Sequence, residues 1–338
     1  MPVTRSLINQ AGLPDDLLIR SGGSVDVLRS LAPLPADAER IYDKRVIEVG
    51  MDRLALVAAM LADGLTFNLP NALGVMEVWH ERVNRVGYAQ RSMLPDTRGE
   101  NQLPDRDAVA TPIYITTDDF NLNIRLKMAS DRAGIPLDGA MAGQSVRNVN
   151  EAIEDAAING WTDAAGNLVK NNGRTAPGLL NAPNASHVAY TGAEAWDAAG
   201  HTGEEILGDL QSMIDTAIAN HMYGPFRFFY PTAYDGKLNQ DYKSATSGTI
   251  RERIAALNVG GRPLGLTVVD MLPANRTALV QMTPDVLDVV VGQEPTVLSW
   301  ASLDGFNRYY KVMAIMVPRF KDTYDTESGV VLGYTSVP

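Results

Sequence analysis

Four histidines are the first side chains to consider for catalysis or metal binding: His80, His187, His201 and His221. None lies in a spacing typical of a metal site. Residues 80–84, His-Glu-Arg-Val-Asn, contain the first half of the HExxH zinc motif but lack its second histidine. Ser145 follows Gly143 and Gln144 but lacks the second glycine of a nucleophile elbow. The sequence therefore predicts ordinary surface or partly buried imidazoles, with no metal ligand or catalytic residue among them.

Glu151, Glu154 and Asp155 form the densest group of carboxylates on a predicted helix. A di-iron site on such a helix requires a Glu-x-x-His partner, and no histidine is in range. We therefore expect a solvated helix face beside a basic neighbour, and a carboxylate-dependent enzyme with its site near Glu151 remains an alternative. The Gly-rich stretch around Gly260 is neither a Walker loop nor a dinucleotide fingerprint. No cofactor is expected, and the protein is predicted not to be an enzyme.

Composition excludes several classes of protein. The 338 residues include no cysteine, so disulfides, thiolate nucleophiles, iron–sulfur clusters and cysteine-ligated zinc are ruled out. The formal net charge of −11 predicts repulsion of nucleic acid and of anionic membranes. The N-terminus lacks a signal-peptide pattern, and the most apolar run, residues 54–62, is too short to span a bilayer. These features indicate a soluble protein of cytosolic type with no membrane partner.

The element most strongly predicted is a long helix over residues 138–160. Its apolar positions alternate steps of four and three residues and form one face; they are Ala142, Val146, Val149, Ile153, Ala156 and Gly160. Asp138 can cap the first turn, and Asn159-Gly160 supplies a left-handed stop. At about 1.5 Å per residue, this helix is a rod of roughly 30 Å, and we call it the spine helix.

Two extended pieces flank a polar tip in the region before the spine helix. Residues 75–88 form the outgoing piece, and the strict alternation of residues 120–128 predicts a half-buried return strand. The tip between them mixes arginines and acids, and its candidate contacts with a neighbouring subunit are Arg91, Arg98, Arg106, Asp96 and Asp105. A long polar hairpin without its own core normally rests on a partner. Capping boxes at Thr202 and Thr249, followed by short strands, complete an α+β layout.

The sequence resembles the major capsid proteins of tailed phages, a fold named after phage HK97 and shared with encapsulin shells. The resemblance covers roughly residues 40–338 and rests on the motifs FNLNIRLKM, EAIEDAAINGW, APGLLNAPN, LPANRTALVQMTPDVLDVVVGQEPTVLSW, YYKVMAIMVPRF and ESGVVLGY. It implies an N-terminal arm, an extended loop, a peripheral domain and an axial domain. The expected segments are arm 1–38, peripheral 39–62, extended loop 63–110, peripheral 111–202, axial 203–292 and peripheral 293–338.

The resemblance also implies a function and a set of partners. We expect a structural subunit that self-assembles as hexamers and pentamers into an icosahedral phage capsid, which encloses DNA without sequence-specific binding. Portal, scaffold or decoration proteins are further expected partners, with assembly in the host cytoplasm and final location in the virion. Some relatives carry a fused scaffolding segment, which is not expected before residue 40 here. Others cross-link through a lysine in the extended loop, and no lysine lies between Lys44 and Lys127. The alternative from the same fold is an encapsulin shell enclosing a cargo enzyme.

Overall fold

In a computed structural model of the chain, the structure describes residues 55–84, 86, 91, 93, 103–133, 137–198, 200–243 and 246–335. The predicted N-terminal arm lies outside the described residues, as does most of the predicted charged tip. The helices are α1 Ala55–Ala62, α2 Ile124–Ala133, α3 Leu137–Asn159, α4 Gly203–Ala219, α5 Asp235–Leu238 and α6 Ile250–Ala255.

The strands run from the residues after α1 to the C-terminal part of the chain. They are β1 Thr66–Asn68, β2 Glu77–Val83, β3 Arg106–Pro112, β4 Thr116–Asn123, β5 Ser186–Ala189, β6 Phe226–Tyr230, β7 Asp241–Lys243, β8 Thr246–Thr249, β9 Asn258–Val259, β10 Arg262–Pro263, β11 Gly265–Val268, β12 Arg276–Gln281, β13 Leu287–Ala301, β14 Asn307–Phe320 and β15 Val330–Tyr334. Helices and strands intermix along the chain, so the predicted α+β class is confirmed.

The chain separates into two compact units. Of the described residues, the first unit contains Tyr114–Ile153 and Val291–Met316, and the second contains the remainder. In the first unit, β4 pairs antiparallel with β14 from Asn123↔Asn307 to Thr116↔Ala314. Phe120 stacks on its cross-strand partner Tyr310 with ring centroids 4.7 Å apart. Such aromatic cross-strand pairs stabilise a sheet beyond its backbone hydrogen bonds.

The return strand predicted over residues 120–128 ends earlier than its alternation suggests. Strand β4 stops at Asn123, and α2 begins at Ile124. The Asn123 side-chain oxygen accepts a hydrogen bond from the Arg125 amide at 2.9 Å, a local bond of the kind that competes with strand pairing. Leu126 and Met128 are both exposed, so the second half of the alternation marks no buried face. That half of the prediction is wrong.

The spine helix is confirmed as α3, Leu137–Asn159. Its predicted stripe is buried at Ala142, Val146, Val149, Ile153 and Ala156. Gly160 follows with φ +81°, the left-handed stop that its position predicted. A Cβ at Gly160 would lie 2.8 Å from the Ala176 carbonyl oxygen, so glycine is required there for space as well as conformation.

The second unit is organised around a five-stranded mixed sheet with the order β11-β6-β12-β15-β5. Its outer pairs, β11 with β6 and β15 with β5, are parallel, and its inner pairs are antiparallel. Helix α4 packs on β5 and β15 and buries an apolar face that includes Ile206, Leu210 and Met213. The capping boxes predicted at the starts of α4 and α6 are present, because Thr202 and Thr249 pair with Glu205 and Glu252.

The predicted outgoing piece forms β2, but its partner is β3 rather than residues 120–128. The two strands pair antiparallel from Glu77↔Pro112 to Val83↔Arg106, and we call them the hairpin. Residues 106–112, Arg-Asp-Ala-Val-Ala-Thr-Pro, show weak alternation, and pairing with β2 decides their structure.

Candidate functional site

The hairpin is the candidate functional site because it exposes apolar side chains on one face. Side chains alternate across a strand, so Val78, His80 and Arg82 lie on one face of β2 while Trp79, Glu81 and Val83 lie on the other. Val78 is buried, whereas Trp79 and Val83 are 52% and 49% exposed. Leu73 and Met76, just before β2, are exposed as well. An apolar group of this kind is typical of a surface that contacts another chain.

Two of the predicted contact residues, Asp105 and Arg106, lie at the far end of the hairpin. Arg91 is exposed, and Arg106 Nη1 lies 3.7 Å from Glu81 Oε2, with both side chains exposed. The Asp105 amide donates to Asn84 Oδ1 at 2.8 Å. Asp96 and Arg98 lie outside the described residues. Contact of these residues with a neighbouring subunit stays a prediction.

Two arginines fix β2 through ion pairs on its opposite faces, and we call these two sets of contacts the Arg174 clamp and the Arg82 clamp. On the exposed face, Arg174 Nη1 lies 3.1 Å from Glu77 Oε2, and the guanidinium carbon lies 3.9 Å from the centroid of the Trp79 ring. This geometry combines an ion pair with a cation–π contact. The loop after the spine helix therefore holds the start of the hairpin.

The second clamp joins the packed face of the hairpin to the region after β14. Arg82 pairs with Asp107 across the hairpin, and its Nη1 donates to Asp322 Oδ2 at 2.7 Å. Asp322 is almost fully buried, with 4% of its side chain exposed, and it also accepts from Asn184 Nδ2 at 2.6 Å. Because a buried carboxylate requires partners, Asp322 strongly favours this position of Arg82.

A second buried ion cluster lies beside this clamp. Arg319 donates twice to Asp288, with Nε–Oδ1 and Nη2–Oδ2 distances of 2.8 and 2.6 Å. Lys321 Nζ lies 2.6 Å from the same Oδ2. The fork of the guanidinium matches the carboxylate, and this charge-assisted geometry is among the strongest that side chains form.

His80 lies on the packed face between these two groups. It is half-buried, and neither ring nitrogen has a hydrogen-bond partner among the described residues. Burial lowers the pKa of His80, and the positive charges of Arg319, Lys321 and Arg82 lower it further, against the opposing charge of Asp322. The imidazole is therefore neutral near pH 7.

The other three histidines either contact buried side chains or lie at the surface. His201 is buried, with Nε2 3.3 Å from Asp209 Oδ2. Asp209 accepts from the amide and hydroxyl of Thr191, at 2.9 and 2.6 Å, and from Trp196 Nε1 at 2.9 Å. These bonds hold the loop before α4 on the helix. His187 contacts Tyr334, and His221 is exposed.

The carboxylates of the spine helix do not form the uniformly solvated face that was predicted. Glu154 is buried, with 2% of the residue exposed, and it accepts hydrogen bonds from the amides of Leu56 and Val57 at 2.8 and 3.3 Å. It therefore caps the N-terminus of α1, whose first turn has no acidic residue of its own. Burial raises the pKa of Glu154, partly opposed by these amides. Asp155 accepts from Asn159 at 2.7 Å.

The described part of the chain contains no group of three or more histidine and carboxylate residues placed to hold a metal ion. None of its described helices is both long and apolar enough to cross a membrane. The aromatic side chains of Phe228, Phe229 and Tyr310 are buried and belong to the core.

A model of a family of unknown function, DUF6260, matches residues 30–333. A comparison with curated proteins found no match. Solved structures similar to this chain include phage capsids and a virus-like particle. The capsid of Myoviridae phage XM1 is 14% identical, with a TM-score of 0.62, and the match covers 81% of this chain and 90% of that chain.

A virus-like particle from Pyrococcus furiosus is 17% identical to this chain, with a TM-score of 0.58. The match covers 86% of this chain and 97% of that chain. The capsid of a native GTA particle is 13% identical, with a TM-score of 0.59. That match covers 83% of this chain and 91% of the GTA capsid chain. These similarities confirm that the chain has the HK97 capsid fold.

Proposed function

Because this chain belongs to the DUF6260 family and has the HK97 capsid fold, we propose that it is a major capsid protein whose copies assemble into an icosahedral shell. A shared fold does not establish a shared function, so the proposal also needs a feature of this chain. That feature is the hairpin, which exposes Trp79 and Val83 while ion pairs hold its other face. A second copy of the chain would cover the exposed face.

The proposed domains follow the same fold. Residues 1–38 would form an arm, residues 63–110 the extended loop, and residues 203–292 the axial domain. The remaining segments, 39–62, 111–202 and 293–338, would form the peripheral domain around the spine helix. In this arrangement the extended loop contains the hairpin up to residue 110, and Arg91, Asp96, Arg98, Asp105 and Arg106 would contact the neighbouring subunit.

The shell would enclose a phage genome without attracting it. A net charge of −11 provides no overall electrostatic attraction for phosphates. DNA would therefore be forced in by a packaging motor through a portal, and scaffold or decoration proteins would be additional partners. The protein would assemble in the host cytoplasm and end in the virion.

A second candidate is an encapsulin-type compartment that encloses a cargo enzyme. The similarity to the virus-like particle from Pyrococcus furiosus, which covers 97% of that chain, favours this candidate. Both candidates are closed shells, so they differ in contents rather than in the chemistry of the subunit.

The test is the assembly state of the full-length chain, measured by size-exclusion chromatography and negative-stain microscopy. We expect elution in the void volume and closed particles of uniform diameter. A monomer or small oligomer under all conditions tested would contradict the proposal and favour the enzyme alternative. Particles purified from their native source distinguish the two shells, because a phage capsid contains DNA whereas a compartment contains one folded enzyme and no nucleic acid.

A further inference from the structure

The environment of His80 is unusual because its ring is enclosed but unbonded. Both ring nitrogens are buried, and neither has a hydrogen-bond partner among the residues that the structure describes. Buried polar atoms are nearly always paired, so this exception requires an explanation. His80 lies in the middle of β2, between the Arg174 clamp at Glu77 and the Arg82 clamp at Asp322.

The charges around His80 are balanced as long as its ring is neutral. Three cations interact with the ring: Arg82 on β2, Arg319 on β14 and Lys321 just after β14. The negatively charged carboxylates of Asp322 and Asp107 also interact with it. Every cation already has a carboxylate partner: Arg82 pairs with Asp107 and Asp322, while Arg319 and Lys321 share Asp288. These contacts leave no described carboxylate paired with the ring.

We propose that His80 is an acid-sensitive latch, whose protonation loosens the hairpin from the rest of the second unit. A protonated imidazole would be a fourth positive charge facing three carboxylates in a partly buried site. It would also need hydrogen-bond acceptors for both N–H groups, and neither ring nitrogen has one within hydrogen-bond distance among the described residues. The ring relieves both costs by moving out to water, and β2 must then leave the packed position.

The direction of the pH dependence follows from the lowered pKa. A histidine whose pKa is lower in the folded state contributes full stability at neutral and alkaline pH, because its neutral form is the one that the fold accepts. That contribution falls as the pH drops below 6.5, the ordinary pKa of histidine. The latch is therefore closed at pH 7.5 and opens in mild acid, without any change in the five-stranded sheet.

This inference deepens the proposed function, because the latched hairpin is the element proposed to contact a neighbouring copy. Acid would then change the position of the contact element before it unfolds the subunit. In a shell, the same step would weaken contacts between copies at low pH.

The experiment compares amide-exchange protection factors of the hairpin, corrected for the intrinsic exchange rate, at pH 7.5 and 5.0. The full-length chain is used, with His80→Gln as the test variant and His221→Gln, at an exposed histidine, as the matched control. We expect protection in β2 and β3 of the wild type to fall severalfold at pH 5.0, because the histidine of an opened hairpin binds a proton at that pH more readily than the histidine of the packed hairpin. Protection in β12 and β15, in the middle of the five-stranded sheet, should not change.

His80→Gln should abolish the loss of protection in acid, and His221→Gln should retain it. If hairpin protection in the wild type is the same at both pH values, the latch is excluded, even when the variant does not fold. A loss that persists in folded His80→Gln would also overturn it. Microscopy of the same samples at pH 7.5 tests the shell separately: particles with a pH-insensitive hairpin contradict the latch alone, whereas a pH-sensitive hairpin without particles contradicts the shell alone.

Discussion

At the scale of single residues, buried carboxylates organise the second unit. Glu154 caps α1, and Asp209 accepts hydrogen bonds from the loop before α4. Asp288 and Asp322 pair with the basic residues near the hairpin. Each carboxylate accepts from more than one donor, which offsets the cost of removing its charge from water. Their removal should therefore cost more than the loss of ordinary surface acids.

Asp209→Ala is expected to destabilise the subunit by about 2–4 kcal/mol. The substitution leaves the Thr191 and Trp196 donors without their acceptor, and each unpaired buried donor costs about 1–3 kcal/mol. Equilibrium urea denaturation, followed by circular dichroism, measures the change. Asp215→Ala, at an exposed position of the same helix, is the control and should change stability by less than about 0.5 kcal/mol. Equal losses for the two variants would contradict the assignment.

Glu154→Ala is expected to cost about 2 kcal/mol, because the first amides of α1 lose their only capping carboxylate among the described residues. Glu154→Gln keeps one acceptor oxygen and should cost less. Gln144→Ala, at an exposed position of the same spine helix, provides the baseline. Denaturation midpoints in urea rank the three variants, and a Glu154→Ala protein as stable as Gln144→Ala would refute the capping role.

At the scale of elements, the hairpin differs from the spine helix in what stabilises it. The spine helix buries a continuous apolar face and ends at its own left-handed glycine, Gly160. The hairpin buries little apolar surface of its own and depends on ion pairs from Arg174 and Asp322, which are distant in the sequence. An element held in this way keeps its orientation while leaving one face free for a partner.

Reversal of charge at the tip should impair assembly without unfolding the subunit. In the double variant Arg98→Glu and Arg106→Glu, each lost exposed pair with a neighbour would remove at most about 1 kcal/mol, but the loss repeats at every contact in the shell. We expect fewer particles by sedimentation and an unchanged denaturation midpoint. Wild-type assembly should also weaken with added salt, which screens exposed charges.

The control for this variant is Arg125→Glu, an exposed arginine of α2 outside the hairpin. It reverses one charge, where the double variant reverses two, and should assemble as the wild type does. Normal particle yield from the double variant would exclude tip charge pairs as the contacts that hold neighbouring subunits.

At the scale of the whole molecule, the composition limits how subunits can be joined. The chain has no cysteine and no lysine from residue 45 to residue 126, so neither a disulfide nor a cross-link from a lysine of the extended loop can form. Particles boiled in SDS should therefore release a single band at the monomer mass. A ladder of dimers and larger species would show a covalent bond between subunits and contradict this prediction. The same sample, run without boiling, shows that particles were present.

The sequence alone determined the elements that depend on neighbouring residues. The spine helix, its glycine stop, the capping boxes at Thr202 and Thr249 and most strands of the five-stranded sheet follow from periodicity and from contacts three or four residues apart. The order of these elements also carried the resemblance to the HK97 capsid fold, which the structural similarities confirm.

The tertiary structure decided the points that depend on distant partners. Strand β3 was not recognised as the partner of β2, the strand before α2 was predicted too long, and Glu154 was placed on a solvated face. Glu154 instead caps a helix 98 residues earlier in the chain, and Arg82 meets Asp322 across 240 residues. No local pattern encodes such pairs, because the carboxylate and its donors come together only when the chain has folded and water has left the site.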